Sequence, residues 1–536
     1  MSCAARCIDK IWRLAFDRAV AVTRAERERP HHVDRVNMAK KSSADNAANP
    51  QRRQWLKYAG ASAAAGTLAM GAQQTYAAIT RTAPGADGVL DVAIIGAGLA
   101  GLTAARDLRQ AGCESFLVLE ARDRVGGRTL NYNIPGGYVS EVGGQWIGPG
   151  QTAVADLARE LGVGTFPTYY DGNTVILGGD GRVAVDLKGT FGTDESVGAK
   201  LSRLSRDVPC GEPWTSPKAS ELDKLSVGDW LEKQNIKPED QVAWNGSITL
   251  SGGAAPAKMG LLHFLSMVNS ADCDYSQLDS IKHSAQETRF IGGSQILSIK
   301  MAQQLGDKVR MSSPVRQISG WDGDIVTVHT DHGEVRARTV IMAIHPALCH
   351  RVQFDPPLPE KRAALQRAWP AHSPARKTAM VYRRPFWRDK GMNGSIFQFN
   401  GPILWAFDNS PPAAEIGVIN AFVENAMVPS DRDAAMAMHK QFYAQAWGDE
   451  ALSPIAYHDQ DWGRADPWTI TCVFRDSAGI LERPRRSAAP VVRQADLVGD
   501  GDCEYLGRLH GWCRAFWPSW RASGAECPAS RVGRRR

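Results

Sequence analysis

The sequence predicts an α/β fold made of two domains. Residues 92–95 form a short apolar strand that runs into a glycine-rich turn, after which apolar residues recur at helical spacing. A second apolar strand follows at residues 116–119, as in a parallel β-α-β unit. The chain has 536 residues, of which 43% are hydrophobic and 22% charged, so it can bury two cooperating cores. These features predict a Rossmann-like domain joined to a second domain.

The distribution of charge argues against a nucleic-acid partner. The net charge is +6, but residues 1–57 carry 13 Lys/Arg against 6 Asp/Glu, and residues 482–536 carry 11 against 6. The body between them is therefore mildly acidic, unlike a surface that binds a phosphate backbone. The ten cysteines form no CxxC pair and half of them lie near the ends of the chain, so neither a metal site nor a disulfide framework is predicted.

Residues 38–78 have the order of a twin-arginine signal peptide. Arg52 and Arg53 precede a weakly apolar Ala/Gly run that ends in small residues near Ala77. This order predicts export to the periplasm after folding, and a cytoplasmic location if the signal is not used. The run is too short and too alanine-rich for a stable membrane span. Met38 is a natural start, so residues 1–37 are interpreted as an extension upstream of it.

The glycines after the first strand fit a dinucleotide-binding turn. Gly96 permits the tight turn, Gly98 lets the backbone approach a pyrophosphate, and Gly101 lets the helix pack closely on the strand. The helix N-terminus offers N–H groups and the positive end of its dipole to phosphates. Glu120 ends the second strand, where it is placed to accept ribose hydroxyls, and an acid there disfavours the 2′-phosphate of NADP.

The residues that follow resemble the extended fingerprint of the flavin-containing amine oxidase family. In that family the second glycine turn and its arginines hold the FAD pyrophosphate, and the matching residues here are Glu120, Arg122, Gly126, Gly127 and Arg128. The segment EVGGQWIGPGQ (residues 141–151) resembles the family's segment beside the flavin ring, and its matching residues are Gly144, Gln145 and Trp146. The resemblance therefore implies FAD as the cofactor.

Further matches to the family continue in its order along the chain. Residues 289–305 resemble the turn and helix that return to the FAD domain. Val315 matches a residue whose backbone bonds the adenine, although a plain strand valine fits the side chain equally well. Lys377 lies eight residues before the PFWR segment, at the spacing at which the family carries a lysine that holds a water against flavin N5. A buried ammonium is costly unless it is paired or functional, which favours this role.

The segment QDWGRADPWTITCVF (residues 460–474) also resembles the family. Trp468 matches one wall of the aromatic cage that flanks the substrate amine. Cys472 matches the cysteine that carries FAD covalently in animal monoamine oxidases, whereas many bacterial relatives bind FAD without that bond. Both forms of attachment stay open.

The resemblance implies a glutathione-reductase-like FAD-binding domain and a discontinuous α+β substrate domain. The predicted FAD-binding domain comprises residues 88–165, 289–366 and 464–481. The predicted substrate-binding domain comprises residues 166–288 and 367–463.

The family's last FAD motif is missing near the C-terminus. After about Leu481 the chain is rich in Arg, Pro, Gly and Trp without a period. Codons for residues 507–517, read one base later, can encode Ala-Gly-Tyr-Met-Asp-Gly-Ala-Val-Arg-Ser-Gly, which resembles the missing motif. We therefore interpret residues 482–536 as an out-of-frame tail, with a genuine lineage-specific tail as the alternative. Leu509 then stands where the family has the second wall of the cage, and we predict that the chain as written binds FAD weakly or not at all.

The resemblance implies an FAD-dependent amine oxidase whose partners are a small-molecule amine and O2. A primary or secondary amine is oxidised to the imine, which hydrolyses to the aldehyde, and O2 is reduced to H2O2. The sequence leaves the oligomeric state open. One alternative is a polyamine oxidase, which needs acids along its tunnel. Another is an L-amino-acid oxidase, which needs a buried arginine for the substrate carboxylate; the sequence does not place Arg383 or Arg384 well enough to decide. A third alternative is an inactive remnant that does not bind flavin.

Overall fold

The computed structural model describes residues 88–178, 181–187, 193–210, 212–278, 280–368, 375–398, 401–465 and 467–470. The predicted signal peptide and the extension before it lie outside the described residues. So do Cys472 and the predicted out-of-frame tail.

The first sheet is built around β1 (Leu90–Ile95), which the sequence predicts as the first strand. Its parallel neighbours are β2 (Phe116–Leu119) and β12 (Gly333–Met342), and β9 (Val309–Arg310) lies parallel to β2 on the far side. β1 is almost completely buried and β2 completely so, as parallel strands with covered faces should be. The helix α1 (Leu99–Gln110) connects them, so the predicted β-α-β unit is present.

Three further strands extend this sheet beyond β12. β11 (Val326–Thr330) pairs with β12 in antiparallel orientation, and β10 (Val315–Ser319) pairs with β11 in the same way. β13 (Gln353–Asp355) is parallel to β10 at the edge. The seven strands therefore have the order β13-β10-β11-β12-β1-β2-β9.

Three helices cover one face of the first sheet: α1, α2 (Thr152–Glu160) and α8 (Gln295–Leu305). The face of α1 that packs inward carries the apolar residues at helical spacing, which are Leu99, Leu102, Ala105 and Leu108. The N-terminus of α1 is left at the edge where β1 and β2 end, which is where ligands bind in sheets of this kind.

The second sheet also has seven strands, in the order β18-β14-β17-β16-β15-β6-β7. They are β6 (Asn173–Gly178), β7 (Gly181–Val185), β14 (Arg376–Tyr382), β15 (Met392–Phe397), β16 (Ile403–Asp408), β17 (Gly417–Val423) and β18 (Ala456–Asp461). β14 is buried along its whole length between its antiparallel neighbours β17 and β18. A charged residue of β14 therefore lies in the interior of the protein.

Helices complete the second part of the molecule. One helical layer, which has its own apolar core, consists of α3 (Glu195–Ser205), α4 (Ala219–Leu222), α5 (Val227–Glu232), α6 (Pro238–Gly252) and α7 (Leu261–Ser270). The remaining helices are α9 (Pro346–Cys349), α10 (Glu360–Ala368), α11 (Phe386–Asp389), α12 (Arg432–Trp447) and α13 (Trp462–Ala465). Within the described residues, no helix is both long and apolar enough to cross a membrane, and no cluster of acidic, His or Cys side chains could hold a metal ion.

Two short strand pairs form separate two-stranded sheets. The hairpin of β3 (Asn131–Ile134) and β4 (Tyr138–Glu141) contacts the second sheet, where Ser140 Oγ donates a 2.8 Å hydrogen bond to Asn420 Oδ1 of β17. β5 (Thr165–Pro167) pairs with β8 (Thr288–Phe290). The end of β4 is thereby held against the middle of the second sheet.

Candidate active site

The glycine turn between β1 and α1 needs glycine at two positions for steric reasons. Gly96 has a φ angle of +105°, and a Cβ atom there would lie 2.5 Å from the carbonyl oxygen of Ala343. A Cβ atom on Gly101 would lie 1.9 Å from the carbonyl oxygen of Gly96. At Gly98, by contrast, no heavy atom lies within 4 Å of the Cβ position. Gly98 also lines a cleft, so the backbone there can be approached by a ligand.

Glu120 is buried at the end of β2 and points its carboxylate towards this turn. Its Oε2 accepts a 2.7 Å hydrogen bond from the backbone N–H of Ala97, and its Oε1 accepts one of 3.1 Å from the Arg122 guanidinium. The carboxylate therefore ties the end of β2 to the glycine turn. This is the position predicted for the acid that binds a ribose.

A second glycine turn lies beside the first. Gly126 and Gly127 have positive φ angles of +104° and +57°, and Gly126 N donates a 2.9 Å hydrogen bond to Ala97 O. The Arg124 guanidinium donates to Gly127 O at 3.0 Å, which holds this turn from outside. The two turns are therefore joined through Ala97, in agreement with the predicted extended fingerprint.

The two turns form one wall of a single cleft. Of the predicted cofactor residues, those that line it are Gly96, Gly98, Glu120, Arg122, Gly126, Gly127 and Arg128. The opposite wall follows β12 and includes Ala343, Ile344 and His345, which sequence reasoning missed. These three residues could be predicted from the sequence, because the carboxyl end of a parallel strand next to β1 must lie at the same edge of the sheet as the carboxyl end of β1.

The cleft fits the dinucleotide part of FAD. The N-terminus of α1 enters it without a side-chain cap, the space at Gly98 is open, and the buried Glu120 carboxylate stands at the end of β2. A helix N-terminus, close backbone approach and an acid at this strand end are the three features that hold a pyrophosphate and a ribose.

Lys377 is a buried cation on β14, at the meeting point of the two sheets. Its Nζ donates a 3.0 Å hydrogen bond to Gly143 O and a second bond to Gln145 Oε1. It also lies 5.3, 5.4 and 5.2 Å from the ring centres of Trp146, Phe407 and Phe422. Ring faces attract a cation at such distances, so the ammonium is partly compensated although it has left water.

Burial lowers the pKa of Lys377 from 10.5 to about 7. The carboxylate of Glu141 acts in the opposite direction and raises this pKa, whereas the guanidinium of Arg289 lowers it. A lysine with a pKa near 7 can both release and accept a proton at neutral pH. Such a group in the interior, with named charge partners, is a candidate for chemistry.

The segment after β4 connects Lys377 to the nucleotide cleft. Gly144 N donates to Arg128 O at 3.2 Å, so this segment packs on the second glycine turn. Gln145 is buried, and its Nε2 donates a 2.7 Å hydrogen bond to Asn409 Oδ1. The predicted residues Gly144 and Gln145 therefore lie between Lys377 and the residues of the cleft.

Aromatic rings lie around Lys377. We refer to Trp146, Trp405, Phe407 and Phe422 as the aromatic wall. Trp146 stacks on Trp405 with ring centres 5.5 Å apart and lies 4.8 Å from Phe407. Trp405 in turn lies 4.5 Å from Phe407 and 6.0 Å from Phe422. Three of these rings come from β16 and β17 of the second sheet and one from the segment after β4.

Trp468 is predicted to flank the substrate amine. It lines the nucleotide cleft together with Thr469 and Ile470, and the Arg316 guanidinium lies 5.2 Å from its ring centre. Its predicted role at the substrate amine stays a prediction.

Val315 begins β10 and is buried in the apolar core of the first sheet. It is not among the residues that line the cleft. Its predicted main-chain bond to the adenine stays a prediction.

Sequence reasoning missed a buried polar cluster beside Lys377. Glu141 and Arg289 form an ion pair with an N–O distance of 2.7 Å, and both side chains are at most 4% exposed. Asn409 lies within hydrogen-bonding distance of the same carboxylate. Glu141 and Arg289 are the first residues of two segments that resemble the family. Similarity to the family therefore indicates both residues, but only the tertiary structure shows that they pair.

The profile of the family described as flavin containing amine oxidoreductase matches residues 99–511 of this chain. A Mycobacterium tuberculosis protein named as a flavin-containing monoamine oxidase, AofH, is 36% identical over 397 residues, which cover 72% of this chain and 85% of that protein. Putrescine oxidase of Kocuria rosea is 35% identical over 449 residues, which cover 77% of this chain and 91% of the relative.

Solved structures agree with these similarities. The structure of wild-type putrescine oxidase bound to putrescine has a TM-score of 0.71 and 31% identity, and the match covers 81% of this chain and 99% of that one. Cyclohexylamine oxidase from Brevibacterium oxydans IH-35A has a TM-score of 0.70 and 26% identity, with coverage of 81% and 98%.

Proposed function

Because the chain belongs to the flavin containing amine oxidoreductase family, we propose that it oxidises apolar primary amines and transfers the electrons to O2, with release of H2O2. As a member of this family it is an FAD-dependent oxidoreductase that acts on small-molecule amines. Bound FAD supplies a hydride acceptor for the carbon next to the amine. Each turnover converts amine, O2 and water into aldehyde, ammonia and H2O2.

The residues of the nucleotide cleft fit the dinucleotide of FAD. We assign the pyrophosphate to the backbone of the two glycine turns and to Arg128, and the ribose to Glu120. The segment from Gly144 to Trp146 continues from the cleft towards Lys377, which is the direction of the flavin ring. Lys377 supplies a proton donor or acceptor at its Nζ atom on that side.

The aromatic wall is the observation that carries the proposed amine class. Its rings make the surroundings of Lys377 apolar, so a substrate that reaches Lys377 would meet apolar surface and ring faces. A second ammonium on the substrate would need a carboxylate partner in this environment. Among the described residues, the carboxylate that acts on Lys377 is Glu141, and Arg289 already pairs with it. An apolar monoamine therefore fits the wall better than a diamine.

A diamine is the second candidate, because putrescine oxidase is among the similar proteins. An amino acid fits less well. Arg384 is half exposed and pairs with Asp389 and Glu450, and Arg383 is also exposed, so neither is a buried clamp for a substrate carboxylate. The buried Arg289 is engaged by Glu141.

Amine-dependent formation of H2O2 tests this proposal. With 2-phenylethylamine, benzylamine, putrescine and L-leucine as substrates, we expect kcat/KM for the two arylalkyl amines to exceed that for putrescine at least about tenfold, as a desolvated second charge costs more than 1.4 kcal/mol. Trp405→Ala should lower kcat/KM for the arylalkyl amines more than for putrescine. A preference for putrescine in the unaltered chain would contradict the proposed amine class and favour the second candidate.

We also propose that the protein is exported, because residues 52–53 and the apolar run after them have the order of a twin-arginine signal. A fusion of residues 38–78 to a reporter that is active only in the periplasm tests this. The double substitution Arg52→Lys with Arg53→Lys keeps the charge and should abolish reporter activity. Equal export of both fusions would contradict a twin-arginine route.

A further inference from the structure

Glu141 and Arg289 form a buried ion pair near Lys377. The pair is linked to Lys377 through other side chains and not by a direct hydrogen bond. Arg289 Nη2 donates a 2.7 Å hydrogen bond to Glu141 Oε2, and Arg289 Nη1 donates to Ser410 O at 3.0 Å. The two charged side chains are at most 4% exposed. A buried pair of this kind contributes little net stability, because desolvation offsets most of the attraction. Its presence in the interior therefore calls for another role.

Two amide side chains connect this pair to Lys377. Asn409 Nδ2 donates to Glu141 Oε2 at 3.1 Å, which leaves Asn409 Oδ1 to accept the 2.7 Å bond from Gln145 Nε2. Gln145 Oε1 then accepts from Lys377 Nζ. Every donor in this chain of bonds points towards Glu141, because a carboxylate can only accept.

We infer that Glu141 and Arg289 are positioning residues for Lys377, acting through Asn409 and Gln145. The carboxylate of Glu141 determines which way the Asn409 amide faces, and Asn409 in turn determines that Gln145 presents oxygen and not nitrogen to Lys377. Arg289 pairs with this carboxylate and acts on the pKa of Lys377 in the opposite direction. This role rests on the proposed function of Lys377 beside the flavin.

The other elements around Lys377 present no unpaired charge to it among the described residues. Phe422 of β17 and Gln460 of β18 lie directly opposite Lys377. His458, on the same face of β18, has its pKa lowered by burial and stacks with Tyr132, 5.0 Å away.

Two other carboxylates in this region form ion pairs with arginines. Asp459 pairs with Arg376 at 2.6 Å, and Asp408 pairs with Arg388 at 2.7 Å. The charge state of Lys377 therefore responds to Glu141 and Arg289, with opposite signs.

A second cavity adjoins the ion pair of Glu141 and Arg289. It is lined by Glu141, Arg289, Asn131 and Phe166, among other residues. Glu141 Oε1 and Arg289 Nε have no hydrogen-bond partner among the described residues, so water in this cavity is the natural partner for both atoms. Water on this side would supply hydrogen bonds that the described residues do not supply to these two atoms.

Direct titration of Lys377 tests the inference without any turnover. The full chain is labelled with 13C at lysine Cε, and the Lys377 signal is identified by its absence from Lys377→Met. In the unaltered protein we expect a midpoint near pH 7. Glu141→Gln should lower the midpoint and Arg289→Gln should raise it, each by about one pH unit, since each removes one charge of opposite sign.

The opposite signs separate positioning from simple structural damage. Both substitutions break the same ion pair, so a role in packing alone would change the midpoint in the same direction or not at all, and either result would overturn the inference. Asn409→Leu removes the link to Gln145 and should lower the midpoint, and an unchanged midpoint would overturn the role of the amides.

Asp408→Asn is the control, because Asp408 is a fully buried carboxylate next to Asn409 that accepts from Trp387, Arg388 and Ser410 N, and its carboxylate is not a member of the bonds from Lys377 to Glu141. It should leave the Lys377 midpoint unchanged, and a shift as large as that of Glu141→Gln would count against a specific pathway. The titration does not require amine oxidation. If the protein does not oxidise amines, the Lys377 midpoints of the variants can still be measured, and if the midpoints do not shift as expected, amine oxidation can still be tested.

Discussion

At the scale of single residues, the site depends on two ionisable groups taken out of water, Lys377 and Glu120. The structure stabilises them in different ways. Glu120 accepts bonds from a backbone N–H and a guanidinium, whereas Lys377 is held by two oxygen acceptors and the aromatic wall. Burial dominates for the lysine and lowers its pKa to about 7. The cost of that burial makes the stability of the protein depend on pH.

Lys377→Met should reveal this dependence. In the folded protein Lys377 loses its proton near pH 7, and in the unfolded chain it does so near its usual pKa of 10.5. Between these values the unfolded state binds more protons, so the wild-type free energy of unfolding should rise relative to Lys377→Met by about 1.4 kcal/mol per pH unit. Below pH 7 the difference should be constant.

Urea unfolding at pH 6, 7, 8 and 9 measures this difference. Lys218→Met, a substitution at a half-exposed lysine, shows the effect of losing a surface charge. A difference between wild type and Lys377→Met that stays flat from pH 7 to 9 would mean that the ammonium is not desolvated.

Glu120→Gln should weaken FAD binding about 10- to 100-fold. The neutral amide keeps the size of the side chain and one hydrogen-bond acceptor, but it loses the negative charge that strengthens the bonds to the ribose, a total loss of about 1.4–2.8 kcal/mol. Quenching of flavin fluorescence during titration of the protein with FAD gives the dissociation constant. Glu160→Gln, at an exposed acid that pairs with Arg106, serves as the control. An affinity within twofold of wild type would place the ribose elsewhere.

At the scale of elements, the unit from β1 through α1 to β2 forms the nucleotide cleft by local geometry. Gly96 and Gly101 allow α1 to approach the turn, and Gly98 leaves the entrance open. Packing of the apolar face of α1 on β1 then directs the helix N-terminus to the end of the strands. The same three glycines therefore divide into two that serve folding and one that serves binding.

Gly101→Ala and Gly98→Ala should separate these two roles. The methyl group at 101 would lie 1.9 Å from the carbonyl oxygen of Gly96, so α1 must move, and we expect a loss of about 3 kcal/mol of stability. The methyl group at 98 meets no atom within 4 Å, so stability should change by less than about 1 kcal/mol while FAD affinity falls at least tenfold. Chemical unfolding and FAD titration of both variants measure the two effects. Equal losses of stability would contradict the division.

At the scale of the whole molecule, the site exists because the two sheets meet. β14 of the second sheet supplies Lys377, and the segment after β4 supplies the oxygen atoms that bind its Nζ. Trp462 Nε1 also donates to Val142 O at 2.9 Å, which fastens the end of the second sheet to this segment. Relative displacement of the sheets would therefore separate the lysine from the cleft.

The tail after about Leu481 leads to a prediction for the whole chain. If residues 482–536 are read out of frame, the family's last FAD motif is absent, and one side of the cofactor site is not closed. A gene in which the frame is restored after codon 481 should yield protein with about one FAD per chain, whereas the chain as written should purify with far less. The ratio of flavin absorbance to protein absorbance measures this. Stoichiometric flavin in the chain as written would contradict the out-of-frame interpretation.

The sequence by itself determined the features that depend on neighbouring residues. The strand, the glycine turn, the helix and the acid at the end of β2 lie within about thirty residues, and backbone sterics and helix periodicity govern them directly. The burial of Lys377 could also be predicted, because an apolar strand surrounds it in sequence. Similarity to the family then indicated FAD and an amine substrate.

Only the tertiary structure decided which distant residues meet. Lys377 and Gln145 are 232 positions apart, Asn409 and Glu141 are 268 apart, and Arg289 and Glu141 are 148 apart. No periodicity in the sequence reports such a pairing, because the packing of the β3–β4 hairpin against the second sheet creates it. The same holds for Trp468, which lines the cleft together with Gly98 and Glu120 although these residues lie far away in the sequence. Long-range packing therefore decided the electrostatic environment of the lysine.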